Sequence, residues 1–237
     1  MPHPALLAVS HGTGSAAGQR AVRALVDAVA AHLPDVAVRL GHVDVQQPDV
    51  AASLASLPDG EPVVLVPLLL SAGYHVRVDL RRATRDRAGV TVTGALGPDP
   101  RLADVLAERL ERAGLTDGDA VVLAVAGSSD ARANDDCRAV AALLGERLAR
   151  TVAVGFLAAA EPRLARAVAE ARGDRVVVGS YLLAPGYFHD LAVREAGGAA
   201  VARPLLDDDE PAASLVELVL DRYRSAVEPA LERDSSV

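Results

Sequence analysis

Tryptophan is absent from this chain, aromatic residues make up 3% of its 237 positions, and cysteine occurs once, at Cys137. A single cysteine excludes a disulfide scaffold and an all-cysteine zinc or iron–sulfur site. Basic side chains are in deficit, 24 against 32 acidic ones, for a formal net charge of −8. That balance argues against a nucleic-acid surface, which needs a basic face. No apolar run approaches the ~20 residues of a membrane span. The opening MPHPALLAVSHG has no basic n-region and only a short apolar run, unlike a secretory signal. The expectation is a soluble cytoplasmic protein with neither nucleic acid nor membrane as partner. What is present is a hydrophobic fraction of 51%, carried mainly by Ala and Val, which suffices for a core.

Apolar runs alternate with helical patterns. ALLAVS (5–10) ends at a Gly-rich turn, and a helical pattern over 16–33 places Val22, Leu25, Val26 and Val29 on one stripe. VAVRLGHV (36–43), PVVLVPLLL (62–70) and VTVTGAL (90–96) read as strands. Residues 50–57, the Arg-rich 77–88 and 102–113 read as helices between them. Continuous Val/Leu runs separated by helices point to parallel sheets covered on both faces.

The pattern then repeats. AVVLAVAGS (120–128), TVAVGFL (151–157), RVVVGSYLL (175–183) and AAVARPLL (199–206) match the four strands in order. Gly12 pairs with Gly127, Pro48 with Pro162, Gly73 with Gly186 and Pro98 with Pro211, at offsets of 115, 114, 113 and 113 residues. The chain is read as an α/β protein of two similar lobes from an internal duplication. Each lobe is a mainly parallel four-stranded sheet flanked by helices, and the two face each other across a cleft. The boundaries are 1–115 and 119–228, joined at GLTDGD (114–119), with a tail at 229–237.

Ligands of open parallel sheets bind beyond the carboxyl ends of the strands. In the first lobe those ends carry His11, then His42 and Asp44, and after a turn His75. The matching positions of the second lobe are Ala126, Ala158 and Phe188. A structural role shared by both lobes does not predict that asymmetry; a site built on one lobe does. Imidazole plus carboxylate suits a metal ion or proton transfer. Taken singly, a His at a strand end is more often a solvated loop residue than a ligand, and Asp44 can cap the helix beginning near Asp49. Gly12-Thr13-Gly14-Ser15-Ala16-Ala17 also fits the loose G-x-G-x-x-A form of a dinucleotide fingerprint. The same turn can instead offer backbone N–H groups to carboxylates of an organic ligand.

SHGT (10–13), VDVQQP (43–48), PLLLSAGYHVRVDL (67–80) and LGPDPRLADVL (96–106), in that order, resemble the class II tetrapyrrole chelatases of the sirohydrochlorin chelatase type, in their two-lobed long form. FLAAAEP (156–162), YLLAPGYFHD (181–190) and RPLLDDDEPAASLVELVLDRY (203–223) resemble the same pattern, so the likeness spans essentially the whole chain. The resemblance implies a lyase that inserts a divalent metal into sirohydrochlorin: Fe²⁺, giving sirohaem, or Co²⁺, for cobalamin synthesis. The metal is a substrate, and no permanently bound cofactor is implied. The family's two active-site histidines map to His11 and His75, and its acidic metal ligand to Asp44, where relatives usually carry Glu. His189 lies one place past the register of His75, and His42 is a further candidate. Ser10, Gly12, Thr13, Arg77 and Arg81 are the candidate contacts to the substrate. The expected state is a monomer or homodimer. A non-catalytic tetrapyrrole or metal carrier and a dinucleotide-binding oxidoreductase remain as alternatives.

Overall fold

The computed structural model describes residues 3–71, 80, 82–85 and 87–234. The first lobe holds β1 (Ala5–Ser10), β2 (Val38–His42), β3 (Val63–Pro67) and β4 (Val90–Val92) in the spatial order β2-β1-β3-β4. The second holds β5 (Ala120–Val125), β6 (Val152–Phe156), β7 (Val176–Tyr181) and β8 (Ala200–Val201) in the equivalent order β6-β5-β7-β8. Every pairing is parallel. The inner strands β1, β3, β5 and β7 are covered on both faces, which is why they read as unbroken apolar runs. In each lobe the order reverses between the first and third strands, and that reversal opens a crevice at their carboxyl ends.

The helices are α1 (Ala16–Ala31), α2 (Val50–Ala55), α3 (Pro100–Arg112), α4 (Ala131–Leu148), α5 (Leu164–Glu170), α6 (Tyr187–Glu195) and α7 (Ala213–Asp234). Helix α1 buries Val22, Leu25, Val26 and Val29, the stripe its periodicity predicts. Asp99 caps α3 by accepting from the Arg101 N–H, and Pro100 at its first position needs no donor there. Helix α7 continues through Asp234, so the segment expected as a tail from 229 begins inside it. Of the Arg-rich stretch at 77–88, Leu80 and residues 82–84 are helical; residues 77–79, 81 and 86 lie outside the described residues. Among the described residues no helix is long and apolar enough to cross a membrane.

The lobes do not close separately. Helix α3, at the end of the first lobe, packs chiefly on α4 and β7 of the second, with Leu110 against the face of Gly179. Helix α7, at the end of the second lobe, packs on β3 and α1 of the first. One continuous core of buried residues therefore runs from Leu6 and Val64 to Val121 and Val219. The loop at 114–119 that joins the lobes is pinned by Asp119, which accepts from the Thr116 N–H at 2.7 Å and from Arg175 Nε at 2.9 Å.

Polar contacts hold the exchange in register. Arg109 of α3 makes a two-pronged pair with Asp207, 2.6 and 3.0 Å, and both side chains are buried. Tyr223 of α7 donates to Pro4 O at 2.6 Å, and Arg222 donates to Ala95 O at 3.0 Å. Burial alone would raise the Asp207 carboxyl. Hydrogen bonds from the Asp209 amide and the Arg109 guanidinium outweigh it and hold the group below the ordinary carboxylate value. A carboxylate with a lowered folded pKa stabilises the fold above its unfolded pKa, and loses that effect as pH falls through the folded value. Replacing Asp207 with Asn leaves the Arg109 charge buried opposite a neutral amide. We expect a loss of about 3 kcal/mol at pH 7 in urea unfolding. The gap between variant and wild type should shrink once pH drops below the usual carboxylate range, where wild-type Asp207 also becomes neutral. A gap that is absent at pH 7 or constant with pH contradicts this assignment.

Candidate functional site

A cavity of about 710 Å³ lies between the lobes, within the ~300–1,000 Å³ range of small-ligand sites. Its walls come from the four loops that leave the two crevices. Residues 10–15 follow β1, 68–71 follow β3, 126–128 follow β5, and 181–188 lie at the end of β7 and beyond. The two switch points of the duplicated fold thus open into one chamber. The lobes meet closely beside it: a Cβ on Gly18 would lie 2.2 Å from Pro185 O, and one on Gly186 would lie 2.9 Å from Thr13 Oγ1.

The loop after β1 is shaped by contacts within the first lobe. Gly12 sits at φ +96, where a side chain would be strained, and a Cβ there would lie 2.0 Å from Asp44 O. The Asp44 N–H donates to His11 O at 3.0 Å, tying this loop to the one after β2. Thr13 N–H donates to Gln46 Oε1 at 2.8 Å, and Gln19 Nε2 donates to Thr13 O at 2.8 Å. Ser15 caps α1 by accepting from the Gly18 N–H. The second lobe repeats the frame: Gly127 is at φ +84, a Cβ there would lie 2.0 Å from Ala158 O, and the Ala158 N–H donates to Ala126 O at 2.9 Å. His11 and Ala126 are therefore equivalent positions, as are Asp44 and Ala158.

The candidate residues fall in different places. Ser10, His11, Gly12 and Thr13 line the cavity; Ser10 is 3% exposed and His11 is open to solvent. His42 ends β2 and lies behind the wall, 3% exposed, with Nδ1 2.8 Å from Ser10 Oγ. Burial lowers its pKa, and the nearby Arg23 charge adds to that, so the ring is neutral at pH 7. Asp44 is exposed and its carboxylate accepts from its own neighbour, the Val45 N–H, at 2.7 Å. Val45, at φ +65, takes the cavity wall instead. The cap of α2 is Asp49, which accepts from the Ala52 N–H at 2.7 Å; the alternative of Asp44 as that cap does not hold. His189, on α6, is half-buried with Nδ1 3.3 Å from Ser180 Oγ, and it does not line the cavity, whereas its neighbours Tyr187, Phe188 and Asp190 do. Burial also lowers the His189 pKa, against a smaller opposing effect of Asp190. His75, Arg77 and Arg81 lie outside the described residues. Among the described residues no three His, Cys, Asp or Glu side chains gather into a group able to hold a metal ion.

Several lining residues carry no signal in the sequence. Tyr181 occupies the position equivalent to Leu68 and donates from its hydroxyl to Leu70 O at 2.8 Å, joining the two lobes across the floor. Asn134 clamps the second lobe's turn by accepting from the Ser128 N–H and donating to Ser128 O. Burial, then the Asp136 charge, pushes the Cys137 thiol up to about 11, so it is an uncharged part of the wall. At the rim Tyr187 is 67% exposed and Phe188 37% exposed, their rings edge to face at 5.4 Å. Val45, 62% exposed, adds apolar surface to the same rim. An apolar rim above a chamber with imidazole on one side suits a large, flat, partly apolar ligand whose reacting centre faces the first lobe.

The Gly12 geometry generates a test of the frame that holds His11. Gly12→Ala should lower stability by about 1–3 kcal/mol, since it combines positive φ with a backbone clash. Gly14→Ala, with nothing within 4 Å of the added Cβ, should stay within about 0.5 kcal/mol of wild type. Thermal unfolding of both variants checks this, and equal effects would contradict it.

The CbiX family model matches residues 5–113 and 120–204. Sirohydrochlorin cobaltochelatase from Sulfolobus acidocaldarius is 28% identical over 113 residues, covering 46% of this chain and 90% of that protein. The match is about one lobe long. Among solved structures, SirB from Bacillus subtilis with Fe³⁺ superposes with a TM-score of 0.78 at 21% identity, covering 97% of this chain and 98% of that one. CbiX, described as the terminal enzyme for biosynthesis of siroheme in denitrifying bacteria, gives a TM-score of 0.69 at 20% identity, covering 94% and 99%. These structural likenesses establish the shared two-lobed fold.

Proposed function

The chain belongs to the CbiX family, and on that premise we propose that it is a sirohydrochlorin chelatase, with Fe²⁺ as the metal inserted, giving sirohaem, and Co²⁺ as the alternative. The observation that carries this reading is the one-sided chamber. Both lobes contribute walls, but at equivalent positions the first lobe presents His11 and the second Ala126. A macrocycle lying in the chamber has one face toward the His11 imidazole; among the described lining residues the second lobe presents no imidazole and mostly small and apolar groups, with Asp190 as its carboxylate.

Metallation breaks two pyrrole N–H bonds and forms bonds from the metal to the four ring nitrogens. Two protons leave, and no electron changes hands. Imidazole suits both halves of this exchange near neutral pH, since it accepts a proton or a divalent ion with similar ease. His11 is the group assigned to the described part of the chamber. His75 is proposed as its partner, with Asp44 as a carboxylate that reaches the incoming ion by turning from its own loop. Few protein ligands leave positions open on the metal, which a transfer site needs and a closed structural site lacks. The first turn of α1 carries no acidic side chain, which keeps that helix N-terminus favourable for substrate carboxylates. Arg77 and Arg81 are proposed as further carboxylate partners. Both iron and cobalt lie mid-way in the Irving–Williams order, so supply contributes to the choice between them.

An anaerobic insertion assay with sirohydrochlorin, running Fe²⁺ and Co²⁺ in parallel, tests the reading. His11→Ala and His75→Ala should each slow insertion by about 10²–10⁴-fold, the scale of a positioned acid–base group, with unchanged thermal unfolding. His189→Ala should be milder than His75→Ala. Wild-type protein that inserts neither metal contradicts the reading, and a dominant effect at His189 contradicts the assignment of His75.

A further inference from the structure

Ser10 and His42 are directly paired across β1 and β2, and the equivalent register pair in the second lobe is Val125 and Phe156. The duplicated fold thus fills the same place in two ways. In the second lobe it is apolar, and Phe156 is fully buried. In the first lobe it is a hydroxyl and an imidazole, each 3% exposed, joined at 2.8 Å. The architecture itself does not need the polar pair, because its own repeat does without one. Burying two polar side chains is favourable only if their hydrogen bonds are made, and an apolar pair of similar shape is available. The polar pair is also aimed. Ser10 forms part of the cavity wall immediately before His11, whereas His42 does not line the cavity.

From this juxtaposition we infer that His42 is a positioning residue, fixing the Ser10 hydroxyl so that its oxygen accepts a hydrogen bond from a pyrrole N–H of the bound macrocycle. The inference rests on the chelatase reading and deepens it. A serine hydroxyl has one donor and two acceptor sites. With the His42 proton on Nε2, Nδ1 accepts from the Ser10 hydroxyl, which uses the hydroxyl proton and stops the hydroxyl from rotating. The hydroxyl then has only acceptor sites left to offer to the chamber that Ser10 and His11 line. An unpaired serine would spend part of its time pointing its own proton at the pyrrole N–H, which repels it. Because the pyrrole N–H groups point into the centre of the macrocycle, the Ser10 oxygen reaches one only from a face of the ring, and we assign it to the face that meets His11. The backbone also favours this arrangement: the Val43 N–H donates to Ser10 O at 2.9 Å, locking the two strand ends together.

The test is a double-substitution cycle on the intact chain, with sirohydrochlorin and Co²⁺ under anaerobic conditions. His42→Phe installs the residue the second lobe uses at this register, so the variant has a built-in precedent for folding. Ser10→Ala removes the hydroxyl alone. Each is expected to lower kcat about tenfold with little change in KM for metal, the scale of one hydrogen bond made in the reacting complex. The double variant should lose no more than either single one, because both remove the same interaction. His42→Asn, which keeps a polar atom near the Nδ1 position, should recover part of the loss; a role in packing alone would make Phe the better replacement. Single variants within twofold of wild type overturn the inference, and so does a double variant that loses the product of the two factors. If His42→Phe fails to fold, Ser10→Ala and His42→Asn decide by the same criteria. Active wild type with indifferent variants rejects the pair while leaving the chelatase reading in place. Wild type that inserts no metal rejects both.

Discussion

Each lobe depends on the other for the helix that covers its third strand: α3 lies over β7 and α7 over β3. A four-stranded parallel sheet must bury both faces, and here neither lobe does so with its own chain. The exchange fixes how the two sheets face each other. It brings the carboxyl ends of β1 and β3 opposite those of β5 and β7, and the loops that leave them form a single chamber. The buried Arg109–Asp207 pair and the Tyr181–Leu70 and Tyr223–Pro4 hydrogen bonds act at this same junction. Anything that loosens the exchange therefore uncovers β3 and β7 and opens the chamber together.

Within that frame the duplication has kept geometry and divided chemistry. Gly12 and Gly127 both approach a carbonyl at a distance no side chain permits, and both loops are tied by the same backbone hydrogen bonds. What differs is the side chains hung on the frame. His11 faces Ala126 across the pseudo-symmetry, and the Ser10–His42 pair corresponds to Val125–Phe156. The first half of the chamber presents imidazole and hydroxyl groups, and the second a mostly apolar wall that also carries Asp190 and Asn134.

Much of the architecture is visible in the sequence, because fully buried strands force continuous apolar runs and the second lobe repeats the first at a nearly fixed offset. The stripe on α1 follows from a periodicity that tertiary packing did not override, whereas the helix read from 102 begins at Pro100, behind a cap at Asp99. The exchange of α3 and α7 is not visible. Leu102, Val105, Leu106 and Leu110 announce a buried face, but periodicity does not say against which lobe it lies. The site divides in the same way. His11 follows an apolar strand and precedes a glycine that the turn requires, so its position is set by local sequence. His42 and Asp44 lie two residues apart and look alike on paper. Strand β2 ends at His42, which meets Ser10; Asp44 lies beyond the strand, exposed and just before Val45, whose positive φ a β-branched residue seldom takes. Tyr181 reads as a strand residue, and only the meeting of the lobes reveals its bond to Leu70.

The central claim is that two lobes make one chamber with one reacting face, so that the duplicated chain handles one macrocycle at a time. Titrating the chain with metal-free sirohydrochlorin, well above the dissociation constant and followed by the change in its visible absorbance, measures this directly. The account predicts saturation at one tetrapyrrole per chain. Two per chain would mean that each lobe carries its own site, and no saturable binding would mean that the chamber belongs to some other ligand.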